Sequence, residues 1–122
     1  MGQWSSLKKN ENMSFFDIKD LPEKEVISGI KLKSAYLNNL MITMVNLAPG
    51  AVLPEHSHPH EQISYCVSGS LELTVSGQKK NLTEGQGATV ASNEKHSGVA
   101  GPDGAFFIDA WNPVREDYIV ES

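Results

Sequence analysis

Gly50-Ala-Val-Leu-Pro-Glu-His56-Ser-His58-Pro-His60-Glu-Gln62-Ile-Ser-Tyr-Cys-Val-Ser-Gly69 is the stretch on which the reading of this 122-residue chain turns. His56 and His58 stand two apart, and in an extended strand alternate side chains share a face, so both imidazoles can reach one point. Imidazole suits zinc, copper, iron and nickel, and such sites usually need at least three protein ligands. Gln62 is the nearest further candidate. It opens the alternating run 62–67, in which Ile63, Tyr65 and Val67 share one face while Gln62 and Ser64 share the other. The remaining ligand is expected from His96, the only histidine outside the stretch. A lone histidine is more often a satisfied surface or core residue than a ligand. The His-x-His spacing, bounded by glycines and followed by a further histidine beyond a second Gly-rich turn, moves the reading to a metal.

Composition narrows the partners. Ten basic against fifteen acidic residues leave a net charge of -5 and a pI near 5.3, and no polybasic patch is present, so nucleic acid is not an expected partner. There is no apolar run long enough to span a membrane and no signal-peptide pattern, from which a cytoplasmic protein without membrane contact is expected. The single cysteine, Cys66, cannot form an internal disulfide, in keeping with a reducing compartment. It has the parity of Gln62 but lies roughly 13 Å along the strand from it, too far to share one ion, and reads as a small buried hydrophobe.

The length suits one domain. Residues 1–13 are polar and without sustained periodicity and read as a flexible tail, with Trp4 the one residue able to pin it; residues 14–122 read as the single domain. Asp20-Leu21-Pro22 marks a turn or one helical turn. From Val26 the pattern is β: Ile30 and Leu32 alternate with lysines, Asn38-Asn39 makes a hairpin turn, and 40–47 is apolar enough to be covered on both faces. Ser70 to Val75 is a further strand that turns at Ser76-Gly77-Gln78 and pairs back through Lys79 to Leu82. A second turn at 84–87 leads to 88–90, and 92–95 carry the chain to His96. Gly101-Pro102-Asp103-Gly104 reads as a strong turn before 105–111. Short strands with turn signals every 8 to 12 residues imply an all-β sandwich or barrel.

A second group of candidates lies between Phe107 and Tyr118. Phe107, Asp109 and Trp111 share a strand face, so an interior carboxylate is flanked by two aromatics. Burial raises such a pKa toward the range of a general acid or base. Arg115 is the only arginine in the chain. Its planar fork suits a ligand carboxylate, and equally a structural pair with the neighbouring Glu116 or Asp117. At the metal site, three neutral imidazoles and a neutral amide would leave a divalent ion uncompensated. That arrangement holds the ion less tightly, polarises bound oxygen more strongly and favours an anionic ligand; the competing reading is a decayed site. Metal identity among zinc, nickel, iron, manganese and copper stays open.

The stretch resembles the first cupin motif, Gly, five residues, His-x-His, three or four residues, Glu, six residues, Gly, with Gly50, His56, His58 and Gly69 in register and Gln62 at the Glu position. Gly85 and His96 match the second motif, with Ala91 where Pro is usual and Asn93 where Gly is usual; Asn tolerates the left-handed backbone that the turn requires. The resemblance implies a small single-domain cupin, a double-stranded β-helix or jelly-roll barrel. A narrower one joins His-Ser-His-Pro-His-Glu-Gln to Asp109-Ala-Trp-Asn-Pro-Val-Arg115-Glu-Asp-Tyr118, which is similar to the ending of the KdgF-type cupins of pectin and alginate breakdown. It implies conversion of 4,5-unsaturated uronates to linear keto acids, one divalent metal on His56, His58, Gln62 and His96, Asp109 as acid/base, Trp111 in place of the usual Phe as a sugar-facing wall, and Arg115 near the sugar carboxylate. Phe107 joins Trp111 and Arg115 as a substrate-binding candidate. Alternatives are a metal-dependent dioxygenase and a non-catalytic sugar-acid binder. The expected partners are a small anionic carbohydrate-like ligand and a second copy of the chain. In the homodimer an apolar strand such as Val26 to Leu32 would bury an edge, as is common in cupins.

Overall fold

In the computed structural model residues 14–121 are described, and the expectation for a tail at 1–13 lies outside them. Eight strands follow one another: β1 (Lys24–Ile27), β2 (Ile30–Tyr36), β3 (Met41–Leu47), β4 (Val52–His56), β5 (Glu61–Val75), β6 (Gln78–Thr83), β7 (Gly87–Val90) and β8 (His96–Asn112). Single 3₁₀ turns at Ile18–Asp20 and Glu116–Tyr118 flank them. None of the described residues forms an α-helix, and no described helix is long and apolar enough to cross a membrane.

All pairing is antiparallel, and the two long strands β5 and β8 organise it. The C-terminal half of β8 lies between β3 and the N-terminal half of β5, whose other edge carries β7. The N-terminal half of β8 lies between β4 and the C-terminal half of β5, whose other edge carries β6. One long pair thus passes from one sheet of a jelly-roll barrel into the other. The corner falls where the register jumps from Leu71 opposite Ala100 to Gly69 opposite Ala105. Residues 101–104, expected as a turn that ends a strand, instead form a bulge within β8. Pairing with β5 on both sides keeps the chain extended, and Gly104 at φ +73° absorbs the local turn. The separate runs expected at 62–67 and 70–75 are likewise one strand, β5.

The barrel interior is stacked in layers across paired strands. Leu32, Val45, Phe107 and Cys66 are in register and buried, forming an apolar layer. One step along the same strands, Ser34, Thr43, Asp109 and Ser64 are in register and buried as well, a polar layer inside the barrel. Beyond it lie Met41, Trp111, Gln62 and Val90. The apolar layers exclude water and hold the sheets together, whereas a buried polar layer is stable only when its members bond one another or a ligand. On β3, Ile42 and Asn46 face outward and are exposed, so the run expected to be covered on both faces is covered fully on only one. The single apolar strand expected from Val26 to Leu32 is broken by a turn at Ser28-Gly29, with Gly29 at φ +81°, into β1 and β2; Ile30 and Leu32 point into the core and β1 forms the sheet edge.

Candidate metal centre

β4 ends at His56, directly opposite His96 at the start of β8, and His58 follows in the loop to β5. A ligating nitrogen from each of the three lies within 4.8 Å of the others. Two nitrogens on one ion at about 2.1 Å are at most about 4.2 Å apart, so small side-chain adjustments bring all three into one coordination sphere.

Backbone carbonyls fix which nitrogen is available. Nδ1 of His56 lies 2.9 Å from the Pro54 oxygen, Nδ1 of His58 3.1 Å from that of His60, and Nδ1 of His96 2.9 Å from that of Glu94. A carbonyl only accepts, so each Nδ1 carries hydrogen and each Nε2 offers its lone pair. Burial pushes the pKa of both His58 and His96 below the ordinary imidazole value, the neutral form that ligates a metal.

Two further features fit a cation. His96 Nε2 is buried without a hydrogen-bond partner. His58 Nε2 faces Gln62 Oε1 at 3.1 Å, and with Nδ1 protonated both atoms are acceptors. The Gln62 amide is held in this orientation by its nitrogen, which donates to Ser64 Oγ at 2.9 Å and toward Asp109 Oδ2 at 3.4 Å. Lone pairs aimed at one another in a buried site are repulsive unless a positive ion lies among them.

Behind Gln62, Asp109 sits in the polar layer. Burial pushes its carboxyl up to about 7, against the lowering effects of a Ser64 hydrogen bond and the Arg115 charge. Its Oδ1 is buried and has no partner. Trp111 is locked by a hydrogen bond of 3.0 Å from its indole nitrogen to Thr43 Oγ1. Phe107 is buried one layer deeper. Arg115 grips Asp117 with two parallel bonds of 3.2 and 3.1 Å and lies 3.8 Å above the Tyr118 ring, while Nη1 is buried and unpartnered. The structural partner and the spare donor therefore coexist in one guanidinium.

His56, Gln62, His96, Phe107, Asp109, Trp111 and Arg115 line one cavity of about 90 Å³, whose far end is aliphatic. Seven of the eight candidates from the sequence fall at the polar end of the barrel, and Phe107 lies one layer deeper, in register with Cys66. His60 contributes its carbonyl to His58, and Glu61 is exposed. Cys66 is fully buried one layer away. Sequence reasoning passed over Ser64, Thr43 and Tyr118. The only signal for the first two was strand parity, Ser64 with Gln62 and Thr43 with Val45 and Leu47, which does not by itself say which face is interior. Tyr118, which also packs edge-on against Trp111 at 5.5 Å, carried none.

Comparison with known proteins agrees with the fold. The sequence model of the cupin domain matches residues 43–113. The chain is 34% identical over 107 residues to the pectin degradation protein KdgF of Dickeya dadantii (strain 3937), covering 86% of this chain and 97% of that protein. Among solved structures it is similar to an RmlC-like cupin from Shewanella frigidimarina, with a TM-score of 0.83 and 30% identity over 93% of this chain and 100% of the other. It is also similar to KdgF from Halomonas sp., with a TM-score of 0.82 and 31% identity over 88% and 99%.

Proposed function

This chain belongs to the cupin domain family, and from that membership we propose that it is a metal-dependent enzyme of pectin breakdown that opens 4,5-unsaturated uronates to linear keto acids. The observation that carries the reading is the convergence of His56, His58 and His96 beside a buried carboxyl whose pKa lies at about 7. The two relatives named KdgF supply the substrate class, since one of them is named for pectin degradation.

His56, His58 and His96, with Gln62 Oε1, would hold the ion. A divalent metal bound there supplies Lewis-acid polarisation of substrate oxygen. The protein's own groups account for the rest. Arg115 Nη1, free of Asp117, donates to the sugar carboxylate. Trp111, held by Thr43, presents a flat wall to the ring. A cavity of about 90 Å³ has room for several waters, the scale of a monosaccharide rather than a polymer.

Asp109 handles the proton. The substrate is a cyclic hemiacetal with an enol-ether double bond. Ionised Asp109 takes the hydroxyl proton at the anomeric carbon as the bond from that carbon to the ring oxygen breaks, leaving an aldehyde and an enolate. Return of one proton to the former alkene carbon gives the ketone, so the reaction is an isomerisation with no net gain or loss. A pKa near 7 lets Asp109 serve in both directions at neutral pH, and with Gln62 engaging Oδ2 it is Oδ1 that is left without a partner.

The active form is taken to be a homodimer. Metal-loaded protein incubated with unsaturated uronate is expected to accelerate the loss of absorbance from the conjugated double bond, and to lose that ability after chelation. Decay no faster than in buffer rejects this substrate.

A further inference from the structure

The loop that carries the chain into β8 is tied at both ends by one side chain. Glu94 Oε1 accepts from the Ala91 backbone N–H at 3.0 Å, and Oε2 accepts from Ser76 Oγ at 2.7 Å. Ser76 belongs to the hairpin tip between β5 and β6, and its own N–H donates to the Lys95 carbonyl at 2.9 Å. The same loop touches two of the three histidines through its backbone. The Glu94 carbonyl accepts from His96 Nδ1, and the Asn93 N–H donates to the His58 carbonyl at 2.7 Å. Asn93 holds this geometry at φ +66°, a left-handed conformation that must be kept in place by its surroundings.

We propose that Glu94 is a positioning residue for the metal centre: its carboxylate clamps the 91–95 loop to the Ser76 hairpin tip and thereby aims His96 Nε2 and holds the His58 segment. The inference rests on the proposed three-histidine centre but not on the proposed substrate. Partners that orient a metal-bound histidine generally contribute 10- to 100-fold to metal affinity. The Glu94 side chain touches no ligand atom, so its effect is transmitted through the loop. Ser76, although remote in sequence from every histidine, belongs to the same device.

The test is zinc affinity, measured by competition with a chromophoric chelator, together with the absorption spectrum of the cobalt-loaded protein. Glu94→Ala is expected to weaken zinc binding about 10- to 100-fold and to alter the cobalt spectrum. Glu94→Gln, which keeps an acceptor for Ala91 and a polar group for Ser76, is expected to recover most of the affinity. Gln86→Ala is the matched control: its amide oxygen accepts from Thr83 N at 2.9 Å and Thr83 Oγ1 at 3.2 Å in a comparable turn that bears no histidine. It is expected to leave zinc affinity unchanged. Should Glu94→Ala not fold, Ser76→Ala deletes only the far bond and is expected to weaken zinc several-fold. Unchanged affinity in the Glu94 and Ser76 variants overturns the proposal, as does an equal loss in Gln86→Ala, which marks general destabilisation. No zinc binding by the unsubstituted chain removes the centre and the inference together, whereas zinc binding without uronate turnover rejects only the substrate.

Discussion

Asp109 carries the sharpest tension between stability and chemistry in this molecule. Its folded pKa of about 7 lies above the ordinary carboxylate value, so the protonated form is the one the fold favours. Its stabilising contribution is fully present below the unfolded pKa, near 4, and is lost as pH rises through about 7. Linkage over about three pH units bounds the effect at about 4 kcal/mol. Asp109→Asn keeps the shape and removes the charge, so the metal-free variant is expected to unfold at a higher temperature than the parent at pH 8 and to match it more closely at pH 5. Turnover of the metal-loaded variant is expected to fall at least about 100-fold. Thermal unfolding at the two pH values checks the first expectation; lower stability at pH 8 would contradict it. His58 and His96 have the opposite sign. Their pKa values lie below the ordinary one, so acidification below about 6.5 makes the unfolded chain bind protons first and stability declines.

At the same scale, Thr43 and Trp111 form a buried pair that nothing in the local sequence announces. Thr43→Val preserves shape but strands the indole N–H, which is expected to cost about 1–3 kcal/mol in chemical denaturation. No loss would mean that water replaces the hydroxyl. The pair was not legible because a threonine in a strand is ordinary for its β-propensity, and only the register with Asp109 shows that it faces inward. His56 and His58 were legible from their spacing of two and His96 from the second Gly-rich turn, although His58 lies in the loop after β4 rather than on the expected strand and is oriented by the His60 carbonyl.

Among the elements, the corner shared by β5 and β8 decides how the two sheets meet. At Gly69, with φ +79°, an added Cβ would collide with the Gly104 carbonyl oxygen, which is backbone and cannot swing away. At Gly77 and Gly85 φ is likewise positive, but nothing lies within 4 Å of the position a Cβ would take. Gly77→Ala is therefore expected to cost only the left-handed conformational penalty, about 1–2 kcal/mol. Gly69→Ala should cost clearly more, or prevent folding, and urea unfolding of the two variants tests the difference. Equal losses would place the sheet corner elsewhere. The Gly101–Gly104 segment shows where local reading gives way: its Gly-Pro-Asp-Gly chemistry specifies a bend, but only the partner strands decide whether a bend terminates a strand or turns it through a corner. The run 62–67 shows a second limit. Gln62 and Ser64 are buried while Ile63 and Tyr65 are 58% and 49% exposed, because Gln62 and Ser64 bond within the polar layers that fill this half of the barrel interior.

Across the whole molecule, that inversion leaves an apolar outer face. Ile42, Ala110 and Ile63 are in register across β3, β8 and β5, with Tyr65 one step along, and none bears a charge. A second copy of the same neutral sheet face is the occupant that the homodimer reading supplies. Sedimentation equilibrium is expected to give twice the 13.3 kDa chain mass, and Ile63→Lys is expected to return it to the monomer; a monomeric parent would remove the dimer from the account. The all-β class was legible from turn spacing, and the barrel from the paired motifs. The layering of its interior was not, since it depends on register among strands far apart in sequence.

Every functional step above presumes that His56, His58 and His96 share one ion. Elemental analysis of protein purified without chelator or affinity metal, and of the same preparation carrying His58→Ala and His96→Ala, tests this most directly. Close to one divalent first-row ion per parent chain is expected, and almost none in the double variant. A parent chain that neither carries nor takes up such an ion, or a double variant that retains it in full, would contradict the account.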